Sequence, residues 1–159
     1  MKQIRVKGVI ALMLLTIISG GLFMCCKTMP KQMSPVSGFD PNRFLGEWYE
    51  IARFDFRFEK NMMNVRANYT MNKDGTIRVV NSGFDYMVGK DKMSIGKAKF
   101  VARNDIGALK VSFFGPFYSG YNVIAIDPDY QYALVAGGNK KLLWILSRYP
   151  TIPERVKEN

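Results

Sequence analysis

The region from residue 46 to residue 147 consists of short segments in which apolar and polar side chains alternate, separated by short polar or glycine-containing turns. Alternation with a period of two places one set of side chains on each face of a β-strand. The pattern predicts strands at 46–54, 62–71, 76–84, 96–101, 109–114, 121–126, 132–136 and 142–147. Because no segment between them has helical spacing, the predicted fold class is all-β.

The turns between these segments are short, which favours antiparallel neighbours joined by local hairpins. Asp74-Gly75, between the second and third segments, is a strong hairpin signal. Strands of this number and spacing fit a sandwich or an eight-stranded antiparallel up-and-down β-barrel. A closed barrel leaves no unpaired sheet edge, and we therefore favour it.

The first 26 residues have a different composition. Lys2, Arg5 and Lys7 precede an uncharged apolar run at 8–26, which is typical of a secretory leader. A permanent membrane anchor is the alternative, because the run is close to the roughly 20 residues that span a bilayer. We predict a signal or lipoprotein leader at 1–26, a flexible tether at 27–38, which contains two prolines, and a single domain at 39–159.

The two cysteines of the chain, Cys25 and Cys26, are adjacent at the end of the apolar run. They can form neither a disulfide within the domain nor a thiolate metal site there. A cysteine directly after an apolar leader instead resembles a lipoprotein acylation site, and Cys26 fits it slightly better because a smaller residue precedes it. The alternative is that both cysteines are incidental to the leader.

The chain contains no histidine, which excludes a Ser-His-Asp triad and a histidine zinc site. We therefore predict no catalytic residue, no metal site and no cofactor. The formal net charge is +10, and +7 of it lies beyond the leader. These basic residues are scattered and no nucleic-acid motif accompanies them, so the charge predicts a basic surface compatible with anionic lipids rather than a nucleic-acid site.

Three segments carry a family resemblance. GEWYEIARFDFRFE begins at Gly46, ALKVSFFGPFYSGYNVIAID at Ala108, and YALVAGGNKKLLWILSRYPTIP at Tyr132. The Gly-x-Trp start, the FFGPFY segment and the terminal WILSR, in this order, resemble the lipocalins, most closely the bacterial lipocalin lipoproteins. The resemblance covers roughly residues 39–156. It implies a barrel anchored by lipid in the bacterial cell envelope, at the outer membrane.

The resemblance also implies structural positions. Trp48 is expected to close one end of the barrel, Arg148 to stack on its indole, and Gly46 to let the chain pass close by. Asp127 corresponds to the middle motif of the family, in which Ile126 here replaces a threonine and Pro128 moves the tyrosine to Tyr130. The family usually ends with a helix and one more strand, so the C-terminal helix beginning at Thr151 is expected to be truncated, leaving an exposed apolar patch.

With Trp48 facing inward, alternation and the resemblance together assign the barrel interior. Ala52, Gly96, Ala98 and Leu146 are expected to face inward. The predicted ligand-contacting residues are Glu50, Phe54, Val65, Ala67, Tyr69, Val79, Asn81, Phe100, Phe113, Tyr121, Val123, Val135, Leu142 and Trp144. This set is mostly apolar, which suits a small hydrophobic ligand.

The resemblance favours an open cavity that takes a lipid, such as a fatty acid or lysophospholipid, for binding, transport or storage. Its head group is expected at the open end, near Arg53, Arg57, Lys60 or Arg66. Glu50 inside the barrel requires a hydrogen-bonded water or a partner, which is a polar ligand group, a nearby base or neighbouring tyrosines.

Two alternatives stay open at this point: a lipid-modifying enzyme on the same barrel, and a structural lipoprotein whose barrel is filled by its own side chains. The aromatic residues Phe114, Phe117 and Tyr118 provide either an apolar surface for a homodimer or a membrane, or a cover for the barrel rim.

Overall fold

The computed structural model describes residues 33–54, 60–139 and 141–154. One short helix precedes eight strands. The helix is α1 (Pro41–Phe44), and the strands are β1 (Gly46–Arg53), β2 (Met62–Met71), β3 (Ile77–Asp85), β4 (Lys90–Phe100), β5 (Ala108–Phe114), β6 (Phe117–Ile126), β7 (Tyr132–Gly137) and β8 (Leu143–Ser147).

The strands form a closed barrel in which each pairs with the next along the chain and β8 returns to β1. All eight pairings are antiparallel. The predicted eight-stranded up-and-down barrel is therefore confirmed. Within the described ranges, no helix has the length and hydropathy needed to cross a membrane.

Two strands extend at least four residues further than alternation predicted. β4 begins at Lys90, six residues before the predicted start, because Lys90 to Ser94 continue the ladder with β3 despite their polarity. β6 begins at Phe117, where Phe114 and Phe117 pair across a hairpin. Backbone pairing with a neighbouring strand thus overrides a weak local pattern at both positions.

The helix α1 closes one end of the barrel, which we call the closed end. Asp40 caps it, because its side chain accepts a hydrogen bond of 2.9 Å from the amide of Asn42, and Pro41 occupies the first turn. Phe44 at the end of α1 is buried, with its ring centroid 5.0 Å from that of Trp48. An aspartate followed by proline is a typical start of a helical turn.

The chain contacts the barrel before the predicted domain start at residue 39. The amide of Val36 donates to the carbonyl of Val123 at 2.9 Å, and the amide of Gly107 donates to the carbonyl of Val36 at 2.9 Å. Ser37 forms a bridge with Ile106. The last residues of the predicted tether therefore lie against the closed end.

A bulge in β1 changes which side chains face inward. Glu50 pairs with Leu146 and Ala52 with Ile145, so Ile51 is an extra residue on β1. An extra residue reverses the alternation beyond it. Ala52 is consequently exposed, contrary to the prediction, and Arg53 turns toward the interior.

Several predictions lie outside the described residues. They are the leader at 1–26 with Cys25 and Cys26, most of the tether, and the helix expected after Thr151 beyond residue 154. Lipid attachment and the truncated helix therefore stay predictions.

Candidate functional site

The barrel encloses a cavity of about 820 Å³. It reaches from Phe44 near the closed end to Phe114, Phe117 and Asn139 at the opposite end, where β1 ends, β2 begins and the β3–β4, β5–β6 and β7–β8 hairpins lie. We call this the open end. A volume of this size lies within the range that small-molecule sites occupy.

Trp48 and Arg148 form the closed end. The indole is fully buried, and its Nε1 donates to the carbonyl of Phe44 at 2.8 Å. The guanidinium carbon of Arg148 lies 4.0 Å from the centroid of the indole, a cation–π contact. The guanidinium donates hydrogen bonds of 2.7 to 3.3 Å to the backbone carbonyls of Arg43, Leu45, Glu47 and Tyr130.

This environment affects Arg148 electrostatically. Burial lowers the pKa of its guanidinium, although an arginine stays protonated at neutral pH. Gly46 has a φ of 91° and lies against the guanidinium, since an added Cβ would be 3.4 Å from Nη1. The arrangement expected from the family resemblance is present.

Asp127 organises the β6–β7 turn at the same end. Its carboxylate accepts hydrogen bonds from the backbone amides of Gln131, Tyr132 and Asp129. The displaced tyrosine of the family motif, Tyr130, is buried, and its hydroxyl accepts a 2.7 Å bond from the amide of Asp40. The turn therefore packs against the start of α1 although the motif is altered.

Most of the predicted ligand-contacting residues line the cavity. They are Glu50, Val65, Ala67, Tyr69, Val79, Asn81, Phe113, Tyr121, Leu142 and Trp144, together with the expected inward residues Ala98 and Leu146. Their contact with a ligand stays a prediction.

Four of the predicted residues lie outside the cavity lining. Phe54 is 55% exposed because the bulge at Ile51 reverses the alternation of β1. Phe100 packs with Phe39 at the closed end, with ring centroids 6.5 Å apart. Val123 and Val135 pair with each other and are fully buried in the core cluster that contains Trp48, as expected for positions two residues closer to the closed end than Tyr121.

Glu50 is paired with a base. Its carboxylate forms an ion pair with Arg53, and only 7% of its side chain is exposed. Arg53 also donates to the carbonyl of Met62 at 3.0 Å. Arg53 is thus the nearby base expected as one possible partner of Glu50. The bulge that exposes Phe54 also turns Arg53 toward Glu50.

The other predicted head-group cations are dispersed. Arg66 lies on the outer wall, with its guanidinium 5.5 Å from the ring centroid of Tyr49 and 3.9 Å from the Glu47 carboxylate. Lys60 is exposed in the β1–β2 connection at the open end. Arg57 lies outside the described residues.

The cavity wall changes in polarity along β3 and β4. Ile77, Val79 and Ala98 line its deep part, and Asn81, Ser94 and Lys92 line the part nearer the open end. Asn81 and Ser94 are direct partners across the two strands. One wall therefore passes from apolar at depth to hydrogen-bonding near the mouth.

Lys92 is held by Asp85 at the mouth. Its ammonium donates to the Asp85 carboxylate, and this bond keeps the pKa of the carboxyl below its ordinary value. The same carboxylate accepts from the amides of Met87 and Val88 at 3.0 and 3.3 Å. The lysine and the β3–β4 hairpin are thus positioned by one side chain.

Two tyrosines meet across the interior. The hydroxyls of Tyr69 on β2 and Tyr121 on β6 are 2.7 Å apart, although their strands lie on opposite sides of the barrel. The ring of Tyr69 also packs on Phe44, with centroids 5.2 Å apart. This bridge places hydroxyl groups deep within an otherwise apolar region.

Several further cavity residues follow from the same alternation. Leu109 and Val111 share the parity of Phe113 on β5, and Ile77 shares that of Val79 on β3. Lys92 and Ser94 share the parity of Gly96, and extending β4 toward its N-terminus would have assigned them.

Comparison with known proteins bears on this geometry. Residues 39–159 match the lipocalin-like domain family. The chain belongs to the lipocalin family. It is 51% identical over 131 residues to the outer membrane lipoprotein Blc of Escherichia coli strain K12, covering 82% of this chain and 74% of that protein. Blc of Vibrio cholerae is 46% identical over 132 residues, covering 82% and 77%.

Among solved structures, insecticyanin from the tobacco hornworm has the same fold. Its TM-score is 0.64 at 24% identity, and the match covers 82% of this lipocalin and 74% of insecticyanin. The family match and the identity to Blc confirm the resemblance to bacterial lipocalins that the GEWYE, FFGPFY and WILSR segments indicated.

Proposed function

We propose that this lipocalin binds an amphiphilic lipid, a fatty acid or a lysophospholipid, with the acyl chain deep in the cavity and the head group near the open end. The observation that carries this proposal is the polarity change along the β3–β4 wall, from Ile77, Val79 and Ala98 to Asn81, Ser94 and Lys92. A cavity of about 820 Å³ also favours an open barrel over one filled by its own side chains.

The energetics are sufficient for useful affinity. Each buried methylene contributes about 0.8 kcal/mol, so about twelve methylenes contribute about 10 kcal/mol. Association and ordering offset part of this gain, and micromolar binding is a reasonable expectation. Hydrogen bonds from Asn81, Ser94 and Lys92 would orient an anionic head group.

The relatives support a location. Similar proteins are named outer membrane lipoprotein Blc, and we propose that this chain is likewise held at the outer membrane of a bacterial envelope by lipid on Cys25 or Cys26. Two acyl chains on one cysteine would anchor the protein stably, whereas one chain alone holds a protein only marginally.

A binding protein is favoured over an enzyme. The chain has no histidine, and in the described ranges no three acidic or cysteine side chains are grouped as a metal site. We further propose that reversible binding serves transport or storage of the lipid.

Native mass spectrometry of the purified full chain tests the proposal. A co-purified fatty acid or lysophospholipid supports it, an altered lipid product supports the enzyme, and a protein that retains and binds no lipid contradicts it.

A filled-cavity variant makes the test specific. Ala98→Phe places a ring in the deep part of the cavity and should weaken acyl-chain binding about tenfold or more, since it displaces several methylenes. Ala52→Phe adds the same ring to the exposed face of β1 and should leave the affinity unchanged. Equal affinity in both variants, measured by titration with a fluorescent fatty acid, would place the ligand outside the barrel.

A further inference from the structure

Large apolar side chains are exposed at the open end of the barrel. They occupy the β1–β2 connection, the β3–β4 hairpin and the β5–β6 hairpin, each between 53% and 73% exposed. We call these residues the apolar rim: Phe54, Tyr86, Met87, Val88, Phe114 and Phe117.

The closed end has a different composition. Its β2–β3 turn reads Asn-Lys-Asp-Gly at 72–75, its β4–β5 connection includes Arg-Asn-Asp at 103–105, and its β6–β7 turn begins Asp-Pro-Asp at 127–129. Val101 is the large exposed apolar residue of these three turns. The open end is thus apolar, whereas the turns of the closed end are mostly polar. Contiguous exposed apolar groups mark an interaction surface.

Charges around the apolar rim favour a particular partner. Three exposed lysines at this end form no ion pair with the described residues: Lys60, Lys90 and Lys141. Asp91 is the described carboxylate at this end that also forms no ion pair. The carboxylates of Asp85 and Glu50 are neutralised by neighbouring cations. The described rim is therefore net positive, as a surface facing anionic head groups should be.

We propose that the apolar rim inserts into the interfacial layer of a phospholipid bilayer that contains anionic lipid, with Lys60, Lys90 and Lys141 at the head groups. The cavity mouth then faces the membrane. The docking itself is independent of the proposed function, while direct exchange of a lipid between bilayer and cavity rests on it. Aromatic and aliphatic side chains flanked by basic residues are the composition of interfacial membrane contacts.

The tether is long enough for this orientation. The chain joins the barrel at Val36 near the closed end, and nine residues lie between Cys26 and Val36, which makes ten Cα–Cα steps. A chain reaches at most about 3.5 Å per residue, or about 35 Å in total. The ten residues of β2 rise about 33 Å, which strand tilt reduces to about 25 Å along the barrel axis. A lipid on Cys26 and the apolar rim can therefore contact the same membrane.

Fluorescence quenching by brominated lipids tests which end contacts the bilayer. The full chain, carrying Met87→Trp or Phe54→Trp, is reconstituted into vesicles of phosphatidylethanolamine and phosphatidylglycerol whose acyl chains carry bromine. Neither position lines the cavity. Both reporters should be quenched, and the matched reporter Lys73→Trp in the closed-end β2–β3 turn should not be.

The unsubstituted chain serves as the reference. Trp48 is fully buried, and Trp144 lines the cavity, so quenching of the parent by a brominated fatty acid reports ligand binding separately from docking. If a brominated fatty acid does not quench the parent while brominated vesicles quench Met87→Trp, the result contradicts lipid binding in the cavity but supports docking.

A second variant tests the contribution of the rim to docking. Phe114→Glu should lower the quenching of Met87→Trp, whereas Ile145→Glu, an equivalent change on the exposed outer wall of β8, should not. Quenching of Lys73→Trp equal to that of Met87→Trp would overturn the proposal. The proposal would also be overturned if the open-end reporters were not quenched and cross-linking in the same vesicles detected a dimer with the apolar rim buried against a second copy.

Discussion

Arg148 contacts segments that lie far apart in the sequence. Its guanidinium joins the carbonyls around α1 to the turn before β7 and covers the indole of Trp48. A planar group with five donors can satisfy several carbonyls at once, which an ammonium cannot. The closed end therefore depends on the shape of the side chain as well as its charge.

Replacing Arg148 should destabilise the barrel. Arg148→Ala should lower the free energy of unfolding by about 3 kcal/mol, because carbonyl partners and the cation–π contact are lost together. Arg148→Lys should recover only part of this loss. Urea denaturation followed by tryptophan fluorescence measures both. Arg103→Ala, an exposed arginine paired with Asp105, is the control and should leave the midpoint unchanged.

The predictability of individual residues differed with the kind of signal. Trp48 and Arg148 were assigned from short motifs whose positions are fixed by contacts between distant segments. The inward turn of Arg53 was not, because an extra residue in β1 becomes visible only when its pairing with β8 is known. The exposure of Phe54 follows from the same bulge.

At the level of elements, alternation was sufficient to find all eight strands, and the short turns indicated their antiparallel order. It failed where the strand is polar, as at Lys90 to Ser94, since those residues are ordered by the ladder with β3 rather than by burial. The sequence could not indicate that the turn between β3 and β4 consists of residues 86–89 alone.

The β3–β4 hairpin should respond to acid through Asp85. Its pKa in the folded state is lowered below the ordinary aspartate value, chiefly by the hydrogen bond from Lys92. The stabilisation from its ionised form is therefore complete above the unfolded pKa and lost as the pH falls through the folded one.

Amide chemical shifts of Met87 and Val88, which donate to Asp85, should accordingly titrate in NMR spectra with a midpoint below the ordinary aspartate pKa. Lys92→Gln should move the midpoint upward because it removes the cation. A midpoint at or above the ordinary value in the unsubstituted protein would contradict the arrangement.

For the whole molecule, the asymmetry between the two ends governs which ligands are suitable. The deep cavity is apolar except for the Tyr69–Tyr121 bridge, and hydrogen-bonding groups recur near the mouth. The sequence predicted a mostly apolar interior, but the distribution along the axis required the depth of each residue, which depends on register and bulges.

Lys92 should contribute to head-group selection. The protein should bind a fatty acid more tightly than the fatty alcohol of equal length, and Lys92→Gln should reduce this preference about fivefold, equivalent to about 1 kcal/mol for a partly exposed charged hydrogen bond. Lys97→Gln, which changes an exposed lysine on the same strand, should not. Isothermal titration calorimetry with both ligands measures the preference, and an equal loss in both variants would exclude Lys92 from head-group contact.

Trp48 and Arg148 close one end of the barrel, so a ligand enters and leaves the cavity through the open end. Under the proposed function, a bound lipid must therefore dissociate before another lipid can enter the cavity. The dissociation rate of the bound lipid then limits the rate of exchange, whatever the concentration of the competing lipid.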